Sequence, residues 1–176
     1  MQETAIKLLQ DKFPGTKEMI GDFLIDVVEY RGDITFIVDP DKIREVIRFL
    51  KDGKTMTPAF NVLMDLFAVD YLKFREEMPE RFAVVYHLYS TAKHERVFVK
   101  VWLKEAKPEI ASIHDLYQAV NWFEREAFDL FGIIFSGHPN LTRILTHSEF
   151  EGHPLRKDYP SDGYQRLKAA LPSSGL

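Results

Sequence analysis

Residues 112–131, SIHDLYQAVNWFEREAFDLF, predict the amphipathic helix around which the rest of the chain is organised. Their apolar side chains recur at the spacing of a single helix face. These are Ile113, Leu116, Tyr117, Val120, Phe123, Ala127 and Phe131. Ser112, with Asp115 three residues later, has the pattern of a capping box, and Gly132 directly follows the last apolar residue. The pattern therefore predicts a helix that begins at Ser112 and ends at Gly132.

Charged residues are distributed unusually around this predicted helix. At 100° per residue Glu124 falls within the apolar face, whereas Trp122, Arg125 and Asp129 point the opposite way. A buried carboxylate loses its hydration and needs a partner, so we expect a cation near Glu124. The alternative is that Glu124 lies at the edge of the face and extends to water. The candidate cations in the following segment are Arg143, Arg156 and Lys157.

The second half of the helix carries an excess of negative charge. Glu124, Glu126 and Asp129 crowd the end at which the helix dipole is already negative, and only Arg125 offsets them. We therefore expect residues 138–160 to fold back and supply positive charge there.

Composition excludes several classes of function. The chain has 176 residues, 45% of them hydrophobic, which is enough for one domain with its own core. A net charge of −4 argues against general nucleic-acid binding, which needs a basic surface. Because there is no cysteine, disulfides, zinc–thiolate sites, cysteine-ligated iron–sulfur clusters and thiol catalysis are excluded.

Nothing in the sequence predicts a membrane span. The N-terminal MQETAIKLLQDKFPG lacks the basic and apolar regions of a leader, which favours a mature cytosolic start. The most apolar stretch, residues 60–72, is interrupted by acidic residues and is shorter than the roughly 20 residues that a spanning helix needs. Any membrane association is expected to come through another protein.

The rest of the chain predicts an α+β domain. A short helix is expected at residues 3–12, followed by a hairpin of residues 23–30 and 34–38 around Arg31 and Gly32. Asp39 and Pro40 open a second helix. That helix has apolar residues Ile43, Val46, Ile47 and Leu50, and Gly53 follows its end.

Three further strands are predicted at about residues 60–69, 82–89 and 96–103, with the last two paired as an antiparallel hairpin. The order is helix, two strands, helix, three strands, helix. It predicts a two-layer α+β fold whose mixed or antiparallel sheet of about five strands is covered by helices.

The composition changes after Gly132. Glycines and prolines interrupt the sequence and no apolar period is sustained, yet the segment keeps eight large apolar residues, which argues against disorder. We predict three parts: an α+β domain at residues 1–131, a long extended partner-binding arm at 132–160, and a short, frayed tail at 161–176.

The sequence offers no convincing catalytic, cofactor-binding or metal-binding residue. His138, His147 and His153 lie near Glu149, Glu151 and Asp158, but without the spacing of a known metal site. No glycine pattern fits a phosphate loop, and Ser136, although followed by Gly137 and His138, lacks a positioned base and a third orienting group. The remaining histidines, His87, His94 and His114, are interpreted as surface or structural residues.

Recognition is the better-supported role. The arm combines basic and planar side chains next to the outward Trp122, the mixture that interface cores favour. The basic and planar residues are Arg143, His153, Arg156, Lys157 and Tyr159. Alternatively the arm wraps its own domain and closes the open face of the sheet. The two interpretations are compatible.

At this point a family resemblance becomes visible. Residues 122–160, WFEREAFDLFGIIFSGHPNLTRILTHSEFEGHPLRKDYP, closely resemble the signature of the thirty-kilodalton subunit family of respiratory complex I. The segments VDYL, VVYHLYS and VKVWL fit the same family less specifically. The motif residues carried over are Glu124, Arg125, Glu126, Asp129, Gly132, Gly137, His138, Pro139, Arg143, Gly152, His153, Pro154, Leu155, Arg156, Lys157, Asp158 and Pro160.

The resemblance implies a cofactor-free, non-catalytic structural subunit in the peripheral arm of the proton-translocating NADH-quinone oxidoreductase. It implies packing against the large subunit, of the forty-nine-kilodalton type, near the quinone site, beside the iron–sulfur subunits, on the cytoplasmic side of a bacterial membrane. NADH, FMN, iron–sulfur clusters and quinone would belong to the whole complex. The family also includes subunits of membrane-bound hydrogenases and ferredoxin-driven relatives, which stay as alternatives, and a metal-dependent hydrolase is a weaker one.

Two departures from the family pattern affect the expected contacts. Asn140 and Thr142 stand where the family usually has an acidic residue and a second arginine, so one salt bridge to a neighbour is expected to be missing. Many members also continue into a longer tail after the position of Tyr159. Part of that tail's contact is expected to be absent or made differently.

Overall fold

The structure is a computed structural model of the chain, and it describes Lys7, Phe13, residues 21–53, residues 59–163 and Gln165. The helix predicted at residues 3–12, apart from Lys7, and most of the tail predicted at 161–176 therefore lie outside the described residues.

Five strands form the main sheet, and they confirm the predicted α+β class. They are β1 (Leu24–Tyr30), β2 (Asp33–Val38), β3 (Val62–Asp70), β4 (Phe82–Ser90) and β5 (Glu95–Leu103), arranged in the order β1-β2-β5-β4-β3. Neighbours are antiparallel except β2 and β5, which are parallel, so the sheet is mixed. The β4–β5 hairpin has the predicted antiparallel pairing from Phe82–Leu103 to Ser90–Glu95.

The first hairpin turns at the predicted residues. Arg31 and Gly32 both have positive φ, 54° and 90°, as a tight two-residue turn between twisted strands requires. Gly32 adopts this conformation without strain because it has no Cβ. The turn fixes the register of β1 on β2.

Two helices lie against one face of the sheet. The first, α1, spans Ile43–Asp52 and buries the four predicted apolar residues, while Asp39 caps the short 3₁₀ turn Pro40–Lys42 just before it. The second, α2, spans Val120–Phe131 and ends at Gly132, whose φ of 73° is left-handed as a helix C-cap favours. The hydrophobic core joins both helices to the inward residues of β2, β4 and β5.

The predicted start of α2 is wrong by eight residues. Residues 113–119 form turns, with the Leu116 and Tyr117 amides both donating to the Ile113 carbonyl. Ser112 does not cap a helix, because its amide donates to the Ser136 carbonyl and its hydroxyl to Glu124. These tertiary bonds replace the local capping box.

A second, two-stranded sheet was not predicted. It pairs β6 (Glu109–Ala111) with β7 (Ile134–Ser136) in parallel. Both strands are three residues long, too short for a visible alternation of side chains. The pairing ties the residues just after α2 to those just before residue 112. From Gly137 to Gly163 the described residues form only turns, bends and irregular backbone.

Candidate functional site

Residues 137–163 fold back over the C-terminal half of α2, and Asp129 is the centre of this attachment. Its carboxylate accepts the backbone amides of Ile144, Leu145 and Thr146 at 2.8–2.9 Å. The Thr146 hydroxyl and the Arg143 guanidinium donate to the other carboxylate oxygen, the latter at 2.7 Å. A single side chain therefore fixes the backbone of a segment that lacks regular secondary structure.

Asp129 is fully buried, which corrects the prediction that it points away from the core side of α2. Burial by itself raises the pKa of its carboxyl. The hydrogen bonds from Thr146, Arg143 and Ile144 outweigh that effect and hold the pKa well below its usual range. The group is therefore a buried, stable carboxylate.

Arg143 completes the attachment from the other side. Besides Asp129 it donates to the Gly152 carbonyl at 2.9 Å, so one guanidinium joins α2 to two points of the folded-back segment. The expected return of positive charge to the end of α2 is thus observed, although Arg143 meets Asp129 and not Glu124.

The end of α2 is covered by the segment around residues 153–156. Arg156 donates to the Phe131 carbonyl at 2.6 Å, and the Leu155 amide donates to the Leu130 carbonyl at 3.0 Å. His153 lies 2.9 Å from the Asp129 carbonyl through Nδ1. These donors satisfy carbonyls that the end of a helix leaves without intrahelical partners.

Gly132 lets the segment approach this closely. A Cβ there would stand 2.5 Å from His153 Nε2 and 2.6 Å from an Arg156 guanidinium nitrogen. Gly132 therefore serves two purposes, a left-handed helix cap and a gap that His153 and Arg156 fill.

A second attachment lies at the end of β3. Asp70, which is buried, accepts both Arg81, at 2.9 and 3.1 Å, and the Lys157 amide at 2.9 Å. Arg81 also pairs with Asp158 at 2.8 Å. Burial raises the pKa of Asp70, but the bonds from Arg81 and from the backbone lower it further than burial raises it.

Glu124 is buried in the apolar face as predicted, but the predicted cation is wrong. Its carboxyl accepts the Ser112 hydroxyl at 2.5 Å and the Ile113 amide at 2.9 Å. Arg156 covers the helix end instead, and the Lys157 amide binds Asp70. Burial raises the pKa of Glu124 to about 7, although both hydrogen bonds act to lower it.

His138 lies against the same carboxyl without forming a close ion pair. Its Nε2 is 4.0 Å from a Glu124 oxygen and 3.3 Å from the Asn121 carbonyl, while Nδ1 accepts the Asn140 amide at 3.0 Å. Since Nδ1 accepts a bond, the ring is neutral and carries its proton on Nε2. Burial lowers the pKa of His138 in agreement with this state.

The remaining predicted site residues are divided between internal and exposed positions. Arg125 donates to the Thr142 and Arg143 carbonyls, so it holds the segment against α2. Gly137 and Gly152 have φ of 82° and 87° and form turns. Residues whose surfaces are largely exposed are Trp122, Glu126, Pro139, Leu155, Lys157, Asp158 and Pro160; Pro154 is half-buried.

The structure separates the histidines that suggested a metal. His138 contacts Asn121, His153 contacts Asp129, and His147 lies against the Phe150 ring. Within residues 21–53 and 59–163, no group of three potential ligands is suited to hold a metal ion. None of the helices in the described part of the chain is long and apolar enough to cross a membrane.

Several residues of the site were not predicted. The sequence pattern predicts a helix cap at Ser112 and indicates no role for Asp70, Arg81 or Thr146. Asp70 had a visible signal, since it is one of two acidic residues in a largely apolar strand and stands at its end. Arg81 and Thr146 had none, because their partners are 11 and 17 residues distant in the chain.

The outer side of this assembly exposes large apolar side chains. Trp122 on α2 is 61% exposed, Leu145 is 63% exposed and Leu155 is 48% exposed. The backbone at residues 145 and 155 is held by hydrogen bonds to Asp129 and Leu130. The arrangement presents apolar side chains on a fixed backbone, which suits recognition of a protein surface.

Comparison with known proteins identifies close sequence similarity over most of the chain. The profile of the family described as respiratory-chain NADH dehydrogenase, 30 Kd subunit, matches residues 36–165. An NADH-quinone oxidoreductase subunit of Citrifermentans bemidjiense is 45% identical over 150 residues, which are 85% of this chain and 88% of the relative. The subunit of the same name from Geobacter metallireducens is 41% identical and covers 93% of both chains.

Solved structures share the fold. Nqo5 in its trypsin-resistant fragment (1-134) matches with a TM-score of 0.63 and 34% identity, over 71% of this chain and 95% of that one. A chain of the membrane-bound sulfane sulfur reductase, an archaeal respiratory membrane complex, matches with a TM-score of 0.66 over 96% of this chain and 98% of that one. Its 24% identity shows a shared fold alone.

Proposed function

We propose a function from one premise: the chain belongs to the family of the 30 Kd subunit of respiratory-chain NADH dehydrogenase, and is a subunit of NADH-quinone oxidoreductase, complex I. NADH, FMN, iron–sulfur clusters and quinone belong to the holo-complex. Within that complex we infer that this chain is a non-catalytic scaffold. It supports electron transfer from NADH to quinone by holding the large subunit in place near the quinone site.

The attachment of residues 137–163 to α2 supports this role. Asp129, Arg143 and Arg156 together fix a surface from which Trp122, Leu145 and Leu155 project. Because those donors already hold the backbone, little conformational entropy remains to be lost on binding. We propose that residues 132–160 are a partner-binding arm on the 1–131 domain, with the large subunit and neighbouring iron–sulfur subunits as its partners.

The same proposal predicts where in the cell the chain is held. The chain is held at the membrane through the complex, as a peripheral subunit on the cytoplasmic side. Fractionation of membranes from cells with and without the large subunit tests this directly. The chain is expected in the membrane fraction when the large subunit is present and in the supernatant when it is absent.

The test of the interface uses exposed apolar residues whose side chains project from the surface. Leu145→Glu and Leu155→Glu should each lower co-purification of the large subunit, and with it quinone reductase activity, by tenfold or more. Met64→Glu is the matched control, because Met64 is 52% exposed and lies on β3, outside both α2 and residues 137–163. Thermal unfolding of the free chain should be unchanged in all three. Full assembly of both Leu variants would contradict the proposed interface.

Arg156→Glu tests the support beneath that surface. The substitution removes the donor to the Phe131 carbonyl and places a carboxylate at the negative end of α2. Both the stability of the free chain and assembly of the complex should fall. Assembly at the normal level would show that the surface does not depend on this attachment.

The alternative complexes differ in the large subunits to which this chain would bind. The relatives from Citrifermentans and Geobacter are both named as subunits of NADH-quinone oxidoreductase, which favours that complex over a membrane-bound hydrogenase or a ferredoxin-driven relative. No observation on the described residues favours a metal-dependent hydrolase. Identifying the large subunits that co-purify with the chain decides between the complexes.

A further inference from the structure

The Glu124 carboxyl lies at the end of a short chain of hydrogen-bonding groups that leads outward. Its Oε2 accepts the Ser112 hydroxyl at 2.5 Å, and the Ser112 Oγ is in turn 3.2 Å from Nδ1 of His114. Glu124 and Ser112 are buried, whereas His114 is half-buried. The three groups therefore connect a buried acid to a ring that reaches the surface.

Polar or charged groups from several elements interact with Glu124 by hydrogen bonding or electrostatically. From α1 comes the positive charge of Arg44, from β4 the hydroxyl of Tyr86, and from the folded-back segment the neutral ring of His138. Residues 112–115 contribute Ser112, His114 and the negative charge of Asp115. The one permanent cation in this set is Arg44, and it already forms hydrogen bonds with other groups.

Arg44 cannot serve as a contact counter-ion for Glu124. Its guanidinium donates to both carboxylate oxygens of Asp115, at 2.7 and 2.9 Å, and to the Ser112 carbonyl. Among the described residues the Tyr86 hydroxyl, which is buried, has no hydrogen-bond partner. Among the described residues, Glu124 therefore has two hydrogen-bond donors and no cation in contact with it.

We propose that Glu124 is a proton-binding site inside the folded chain, and that Ser112 and His114 form the path by which its proton exchanges with water. His114 takes a proton from water on Nε2 and gives up the proton on Nδ1 to Ser112 Oγ. Ser112 passes its own hydroxyl proton to Glu124 Oε2. The net result is one proton moved from water to the carboxyl, and release reverses these steps.

The energetics of the site agree with this exchange. Burial raises the pKa of Glu124 to about 7, so the group changes charge near physiological pH. The ionised form must keep its charge in a site without a contact cation, which is costly. The two hydrogen bonds from Ser112 and Ile113 to α2 are therefore made to a carboxyl whose charge changes with pH.

The experiment follows the carbonyl stretch of the neutral Glu124 carboxyl by infrared spectroscopy on the full chain. Between about pH 5 and about pH 9 the band should disappear in the wild type and be missing throughout in Glu124→Gln. Glu126→Gln, which changes an exposed carboxyl on the same helix, should leave the Glu124 band as it is. Ser112→Ala removes a donor that favours the ionised form, so the midpoint should move to higher pH.

The path is tested separately from the site. After a pH jump, the band should respond at least tenfold more slowly in His114→Phe than in the wild type. A Glu124 band that does not change over this pH range would overturn the site, and an equally fast response in His114→Phe would overturn the path. The wild-type titration, made on protein with ¹³C-labelled glutamate, does not depend on whether a variant folds. None of these outcomes depends on the proposed scaffold function.

Discussion

Glu124 and Asp129 lie five residues apart on α2 and both are fully buried, yet their pKa values shift in opposite directions. Asp129 accepts three backbone amides, a hydroxyl and a guanidinium, whereas Glu124 accepts one hydroxyl and one amide. The pKa of Asp129 is lowered and that of Glu124 is raised to about 7. The donors around Asp129, one of them a guanidinium, outweigh the effect of burial on its pKa, whereas the two donors at Glu124 do not.

The two carboxyls also have different roles. Asp129 is a permanent anion that organises the backbone of residues 143–146, so its charge is a structural requirement. Glu124 accepts fewer hydrogen bonds than Asp129 does. In the proposal above, the groups near it exchange a proton with it. One helix thus carries a fixed charge that anchors a segment and a variable charge that can respond to pH.

Removing the fixed charge should have the largest effect. Asp129→Ala leaves three backbone amides and the Arg143 guanidinium without their acceptor. The free energy of unfolding should fall by about 3–5 kcal/mol, the usual cost of breaking a buried pair. Urea unfolding measures it. Glu126→Ala, on an exposed position of the same helix, should cost less than about 0.5 kcal/mol apart from its helix propensity. Equal effects in the two variants would contradict the anchoring role.

The pH dependence of stability should reveal the variable charge. The pKa of Glu124 is raised on folding, so its contribution is fully present below about pH 4.5 and is lost as pH rises to about 7. The loss amounts to about 3 kcal/mol at most. For Asp129 the sign is opposite: its pKa is lowered, and its contribution is lost as pH falls below the usual aspartate range.

Glu124→Gln should abolish the fall in stability between about pH 4.5 and about pH 7 and leave the acid-side loss unchanged. Measuring urea unfolding of wild type and variant at several pH values tests both statements. Identical pH profiles for the two proteins would show that Glu124 does not titrate in this window.

A smaller effect is expected where the segment packs on the end of α2. Gly132→Ala places a Cβ against His153 and Arg156 in a left-handed backbone conformation, and should cost about 2–3 kcal/mol. Gly137 has a similar φ of +82° but nothing within 4 Å of its Cβ position. Gly137→Ala should therefore cost only the backbone term of about 1–2 kcal/mol. The difference in thermal stability between the variants measures the crowding, and no difference would show that His153 and Arg156 move aside freely.

The smallest effect on stability should come from a carboxylate that is exposed and forms a single ion pair. Asp158 is 51% exposed and pairs with Arg81, which Asp70 already neutralises from its buried side. Asp158→Asn should change the free energy of unfolding by at most about 0.5–1 kcal/mol, as exposed ion pairs do. Thermal unfolding at low and high salt checks this. A loss as large as that of Asp129→Ala would show that exposure does not separate the two kinds of carboxylate.

Much of the fold was predictable because its signals are local. The period of two in β5, the Arg31–Gly32 turn and the apolar face of α1 each arise from neighbouring residues, and each is confirmed. The start of α2 was not predictable, because Ser112 has a tertiary partner that replaces the cap. The strands β6 and β7 were too short to show any period.

The types of residue in the candidate site were predictable from the sequence, but which cation pairs with which carboxylate was not. The charge imbalance on α2 correctly indicated that cations must return from the following segment. It could not indicate that Arg143 would meet Asp129, because a segment without a regular period gives no rotation or register to reason from. Asp129 looked exposed on an isolated helix, and it became buried when residues 143–146 covered it.

The sequence by itself determined the α+β class, the hairpins, the end of α2 at Gly132 and the need for charge compensation on that helix. Only the tertiary structure decided which carboxylate received the guanidinium and which received a hydroxyl and an amide. The physical reason is the separation along the chain over which each effect acts. Dihedral preferences and side-chain periods arise between neighbouring residues. The state of a buried charge is set by donors brought from 11 to 17 residues away in the chain.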